Sequence, residues 1–293
     1  MLVIELAVVS ETERITHSQL SRVVAALQKQ AIRDFRGVWE VTATVDGFEK
    51  LEDVPVGYWP IIVRDDIGEA PGVAGYHHDK DGQPFSLVKY SDSWSLTASH
   101  EMLEMLGDPW GSRLVAGPSP KPDQGRVEFL VEVSDPPQAA QFGYTVNGFL
   151  VSDFITPNFY DPVATTGVRY SFGGHVPGPR QIARGGYISW HEPATDHWWQ
   201  QVWFTGNAPR FRDLGILTGR TGSLRAAIDA RTRTALRVAD TGPESDKYAA
   251  ARTLTASITD TTTARAANWH TQIDMWLSGQ VAEGTWEDGE DEA

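Results

Sequence analysis

At 293 residues the chain has room for one large domain or two modest ones, each able to bury a core without covalent staples. It contains no cysteine, which excludes disulfide frameworks, thiolate zinc sites, iron–sulfur clusters and cysteine nucleophiles, so any metal must be held by His, Asp, Glu, carbonyls or water. The formal net charge of −14 repels phosphate backbones and argues against a general nucleic-acid binder.

The first residues, Met1 to Val9, form an apolar run broken by Glu5 and lacking a basic leader. They read as a buried strand rather than a signal peptide. No stretch is long and apolar enough to span a bilayer, so the expectation is a soluble, cytoplasmic protein without a membrane partner. Thr16 or Ser18 can cap a helix in which Leu20, Val23, Val24, Leu27, Ala31 and Phe35 recur at helical spacing. Trp39 to Val45 and Tyr58 to Val63, rich in β-branched and aromatic residues, read as strands. Gly72 to His77 and Pro84 to Tyr90 flank Asp79-Lys80-Asp81-Gly82 and predict a hairpin. That fragment lacks the remaining ligands of a calcium loop and reads as a turn.

The spacing then predicts a helix over 95–106, stopped by Gly107-Asp108-Pro109. Val127 to Val133 reads as a strand interrupted by Glu128 and Glu132, leading to Ser134-Asp135-Pro136-Pro137. Short β or loop elements follow through Tyr144–Val151 and Phe154–Tyr160. A Gly- and Pro-rich stretch then leads to Tyr187–Trp190 and the Trp-dense His197–Phe204. From Leu217 the chain turns to Ala, Thr, Arg and Asp, which predicts peripheral helices and a disordered acidic tail. The fold class expected is α+β.

The helix over 95–106 carries His100-Glu101-Met102-Leu103-Glu104. Residues i and i+4 share a helix face, so His100 and Glu104 can place an imidazole nitrogen and a carboxylate oxygen on one ion. Glu101 projects about 100° around the helix from His100, where a general base would stand to activate an attacking water. The pattern is similar to the His-Glu-x-x-His helix of zincins, with Glu104 in place of the second histidine. Zinc is the expected ion, and the added carboxylate widens the choice to manganese or iron. A third ligand is needed. Glu132 and Asp135 rank above Asp108, because a carboxylate within an apolar strand is costly to bury without a partner, and whichever of the first two is not the ligand would orient His100.

Other candidates carry less weight. His77 and His78 adjoin the presumed edge strand, from which one could face the cleft, though a surface position is the plainer reading. His175, Tyr160, Tyr187 and His191 could each donate a hydrogen bond to an oxyanion. Trp190, Trp198, Trp199 and Trp203 would line a groove or pack the lower half of the domain. No P-loop, no Gly-x-Ser-x-Gly elbow and no pair of Glu-x-x-His elements occurs.

The order strand, helix, strands, hairpin and motif helix, over roughly residues 1–110, looks like the upper half of the zincin metallopeptidase fold. In that fold a mixed sheet with an antiparallel edge strand roofs the substrate cleft. Residues 99–109, 132–136, 147–154 and 156–160 resemble a family of uncharacterised bacterial zincin-like proteins with a His-Glu-x-x-Glu motif. The resemblance implies a metalloprotein fold and brings no known substrate. The expected organisation is a zincin-like metal-binding domain over 1–216, with upper half 1–110 and a β- and loop-rich lower half 111–216, followed from the change of composition at Leu217 by a C-terminal helical segment, 217–293. The activity expected from the motif is metal-dependent hydrolysis, that of a zinc metallopeptidase acting on a peptide or protein. The competing expectation is an inactive zincin-derived module that binds an assembly partner through its Trp-rich region or C-terminal segment.

Overall fold

Strand β1 (Ile4–Ser10) lies inside a five-stranded sheet of order β2-β1-β3-β5-β4, and its residues Leu6 to Val9 are fully buried. β2 (Ala43–Phe48) and β3 (Trp59–Arg64) flank it in parallel, and the side chains on both of its faces are buried, which is why the run is continuously apolar. β5 (Gln83–Lys89) extends the parallel set beyond β3, and β4 (Gly75–Lys80) returns antiparallel as the edge strand. The computed structural model describes residues 3–69, 72–80, 82–218 and 222–239, with side chains to 232. The predicted acidic tail therefore lies outside the described residues, as does Asp81 of the hairpin turn. None of the described helices is long and apolar enough to cross a membrane.

Helix α1 (His17–Lys29) is capped by the Thr16 hydroxyl, which accepts a hydrogen bond from the Gln19 amide at 3.2 Å. It buries Leu20, Val23, Val24 and Leu27 against the sheet. The helix widens into a π-turn at Gln30–Phe35 and closes as α2 (Arg36–Trp39), so Trp39 ends a helix rather than starting a strand, and β2 begins only at Ala43. The wide turn brings Gln30, Ala31, Asp34 and Phe35 to the interior, more inward positions than one face of an ordinary turn offers.

Helix α3 (Trp94–Gly107) runs through the middle of the molecule. Met102, Leu103, Met105 and Leu106 are buried around it, and each contributes about 1.5–3 kcal/mol by leaving water. Gln30 braces it from behind. The Ser99 hydroxyl donates to Gln30 Oε1 at 2.7 Å, Gln30 Nε2 donates to the Ser152 carbonyl at 3.0 Å, and the Ser152 amide donates to Ser99 Oγ at 2.9 Å. This closed ring satisfies every polar atom it buries and fixes the rotation of α3 about its axis.

Below α3 lies an antiparallel sheet of order β12-β11-β10-β7-β6, built from β6 (Leu114–Pro118), β7 (Arg126–Leu130), β10 (Tyr187–Glu192), β11 (His197–Val202) and β12 (Arg210–Gly215). Between β7 and β10 the small hairpin β8 (Tyr144–Val146) and β9 (Phe149–Val151) turns at Asn147-Gly148, both with positive φ, as a two-residue hairpin requires. β7 ends at Leu130, so Val131 to Val133 leave the expected strand and pass along α3 instead. One apolar cluster joins Leu6 and Val8 of the upper sheet through Met102 and Met105 to Phe129 and Trp190 of the lower one. The fold is α+β. Helix α4 (Leu224–Ala239) docks on the lower sheet through Leu224 and Ile228, which meet Leu130 and Trp198.

Candidate metal centre

His100 and Glu104 lie one turn apart on the face of α3 that meets the segment following β7. This segment is held to the helix by a carboxylate rather than by a neighbouring strand: the Ser134 amide donates to Glu104 Oε1 at 2.7 Å. The next residue, Asp135, then points its Oδ1 at His100 Nε2, 3.2 Å away, while Glu104 Oε1 stands 4.0 Å from the same nitrogen. One ligand atom from each of His100, Glu104 and Asp135 lies within 4.8 Å of the other two. Ligand atoms about 2.1 Å from a tetrahedral ion stand about 3.4 Å apart, so this set fits a zinc-sized ion with little movement. Glu104 and Asp135 are buried and His100 is 14% exposed, so the three converge in a shielded place that opens on the histidine side. Glu104 Oε2 is buried and accepts no hydrogen bond, with Arg225 Nη1 3.7 Å away, so a directly bound ion would stabilise the ionised carboxylate that burial disfavours.

Charges in the centre are strongly coupled. Burial alone would lower the His100 pKa, but its hydrogen bond to Asp135 and the nearby charge of Glu101 raise it above the usual imidazole value. Burial pushes Glu104 well above the ordinary carboxylate range, and repulsion from Asp135 adds to it. Asp135 goes the other way: burial would raise it, but Arg225, His100 and a hydrogen bond from Tyr187 hold it ionised. Ligation needs neutral His100 and ionised Glu104, so both must shed protons that the metal-free centre retains. Zinc uptake by the metal-free protein is therefore expected to tighten as pH rises from about 5 towards about 8. It should release protons, read by calorimetry in two buffers of different protonation enthalpy. Uptake independent of pH would contradict this geometry.

Glu101 lies beside these ligands, 4% exposed, beneath strand β4. The strand approaches closely because residue 75 is glycine: a Cβ there would lie 2.7 Å from Thr97 Cγ2 and 2.9 Å from Glu101 Oε1. Two residues along, on the same face, His77 is 1% exposed and places Nδ1 3.8 Å from Glu101 Oε2. His77 is thus an interior residue facing the helix, not a surface one, and both its ring nitrogens and Glu101 Oε2 lack hydrogen-bond partners. His78 points to the other face, against the Tyr76 ring.

Of the remaining acids, Asp108 accepts the Arg113 amide at 2.8 Å, which pins the turn that follows α3. Glu132 is buried and paired with Arg225, whose Nη1 makes a very short contact to its Oε1; Ser189 Oγ donates to Oε2 at 3.3 Å. Burial, reinforced by Asp135, lifts Glu132 to about 8 against the pull of that guanidinium.

Arg225 is the residue that the sequence reading passed over. It projects from the first turn of α4 into the acidic cluster and is 6% exposed, which corrects the expectation of a peripheral segment. Its Nη1 also lies 3.1 Å from Asp135 Oδ2 and 3.7 Å from Glu104 Oε2. Nη2 donates to Tyr187 Oη, and Nε pairs with Asp229. Gly111, at φ 57°, admits α4: a Cβ there would come within 2.8 Å of Arg225 Cβ. The signal in the sequence was an arginine set between Leu224 and Ile228 on the apolar face of a helix.

The other singled-out residues have local partners. His175 hydrogen-bonds Asp153 at 3.0 Å, and His191 joins Glu128 and Asp196. Trp190 and Trp198 are packed inside, and Trp199 carries Lys121 over its ring. Tyr160 and Tyr187 sense the charges of the centre, and burial raises both phenols well above their usual value, so each keeps its proton at neutral pH.

No protein-family model, curated protein or solved structure matches this chain. The site must be read from its own geometry.

Proposed function

We propose that the protein is a metal-dependent hydrolase of zincin-like architecture, and that it cleaves peptide bonds. The observation that carries this reading is the convergence of His100, Glu104 and Asp135, with the buried carboxylate of Glu101 immediately beside them on the same helix. Two histidine or carboxylate ligands from one helix and a third from a following segment is the donor set of a catalytic zinc site with an open position. Asp135 takes the third place, and Glu132 supports it from behind through Arg225. The antiparallel edge strand β4, lying over the motif helix, is the arrangement that resembles the zincin roof.

Zinc, or manganese or iron in its place, would supply Lewis acidity and make a nearby water a nucleophile at neutral pH. The chain's own residues do the rest. Glu101 takes the proton of the attacking water and returns it to the leaving amine. His77 Nδ1 stands 3.8 Å from the Glu101 carboxylate. The buried phenol of Tyr160, which senses the charge of Glu104 and keeps its proton, would be the hydrogen-bond donor to a developing oxyanion, since the Tyr187 hydroxyl is already committed to Asp135 and Arg225.

The test is metal content. Chelator-free protein should carry about one zinc, manganese or iron per chain by elemental analysis, and His100→Ala should carry none. A second reading has one observation in its favour: Arg225 already offers the acids a cation, as in a module that uses the scaffold for binding or assembly only. Metal-free protein that takes up no ion from excess zinc or manganese would select that reading.

A further inference from the structure

Asp135 and Glu104 each turn their two oxygens towards different cations. Asp135 turns Oδ1 to His100 Nε2 at 3.2 Å and Oδ2 to Arg225 Nη1 at 3.1 Å. Glu104 has Oε1 near His100 and Oε2 3.7 Å from Arg225 Nη1, where it accepts no hydrogen bond. Glu132 Oε1 completes the far side, with a contact to the same Nη1 atom. So a single guanidinium nitrogen sits among one oxygen from each of Glu104, Glu132 and Asp135, and two of these acids also serve the histidine side. This is the layout of a dinuclear centre, in which shared carboxylates bridge two cations about 3.5–4 Å apart.

We propose that Arg225 is a resident cation filling the second position of a two-cation centre, and that it limits the protein to one metal ion. The proposal rests on the metal reading above for the first position. Three features support it. Glu104 Oε2 is fully buried, accepts no hydrogen bond and faces the second position, 3.7 Å from Arg225 Nη1. Arg225 is anchored from both sides, its amide donating to the Gly111 carbonyl at 2.9 Å and its neighbours Leu224 and Ile228 packed on Leu130 and Trp198. Its guanidinium is further held by Tyr187 and Asp229, so its position does not depend on the carboxylates alone. A fixed guanidinium balances charge as a second ion would, but it offers no open coordination position. Chemistry is thereby confined to the His100 side.

The probe is Mn2+ alone, added to metal-stripped full-length protein and followed by elemental analysis and electron paramagnetic resonance. Wild type and Arg225→Lys should each bind one ion with an uncoupled spectrum. Arg225→Ala should bind two, with the exchange-coupled spectrum of neighbouring ions. The double variant E132Q/R225A, which removes one wall of the second position, should return to one. If Arg225→Ala folds poorly without metal, it should refold in excess Mn2+ with two coupled ions. One ion in Arg225→Ala, a second ion without coupling, or failure to refold in Mn2+ would overturn the proposal while leaving a one-ion wild type, and the hydrolase reading, intact. No ion in wild type overturns the first position as well, whatever Arg225→Ala then binds.

Discussion

Exchanging Glu101 for Gln is expected to leave metal content at the wild-type level and to lower peptide hydrolysis by roughly 10²–10⁴-fold, the range that a positioned general base contributes. The two effects separate because Glu101 is not among the converging ligand atoms, which belong to His100, Glu104 and Asp135. Gln has nearly the same shape, so the tight approach of β4 at Gly75 survives and a loss of rate reports a loss of proton transfer. Cleavage of a mixed peptide pool, read by mass spectrometry beside elemental analysis, measures both. Retained hydrolysis would place the base elsewhere, and lost metal would make Glu101 a ligand. If no peptide is cut by wild type, the binding-module reading gains.

Arg225→Met should cost about 3–5 kcal/mol of stability in metal-free protein, the usual penalty for removing one partner of a buried ion pair. For a domain of this size that corresponds to a fall in Tm of roughly 6–20 °C. Methionine keeps most of the apolar stem, so packing near Leu224 and Ile228 changes little. What remains is a buried cluster of Glu104, Glu132 and Asp135 that has lost its guanidinium and keeps only the His100 imidazole as a counter-charge. E132Q/R225M should match Arg225→Met at neutral pH, because loss of the guanidinium that holds Glu132 down leaves its carboxyl protonated, and it should recover part of the loss only at a pH where Glu132 would ionise. Thermal unfolding in chelator reads all three proteins. An unchanged Tm in Arg225→Met would mean that α4 does not depend on the cluster for its docking.

Helix α3 was legible because its signals are local: apolar positions all round, a motif at one-turn spacing and Gly107-Asp108-Pro109 to stop it. The upper sheet was legible for the same reason, its buried strands reading as β-branched runs. Trp39 misled because aromatic composition is a property of strands and of packed helix ends alike, and nothing in sequence marks a π-turn. Glu132 and Asp135 could not be told apart, since their order depends on where β7 ends, and a hydrogen bond from Ser134 to Glu104 decides that. Arg225 was hidden by distance: its acids lie 90 and 93 residues earlier, and spacing over that range carries no trace of contact.

That separation has a consequence for biosynthesis. Asp135 leaves the ribosome 90 residues before Arg225, a gap of roughly 5–20 s at ordinary rates of translation. During that interval the motif helix, the upper sheet and Asp135 are all present, while the guanidinium that neutralises them is not yet made. The nascent chain thus passes through a stage in which its acids face the cell's free ions without their internal competitor. If the centre holds a metal as proposed, loading at that stage and loading of the finished protein would be different events, and only the second would have to proceed with α4 already in place.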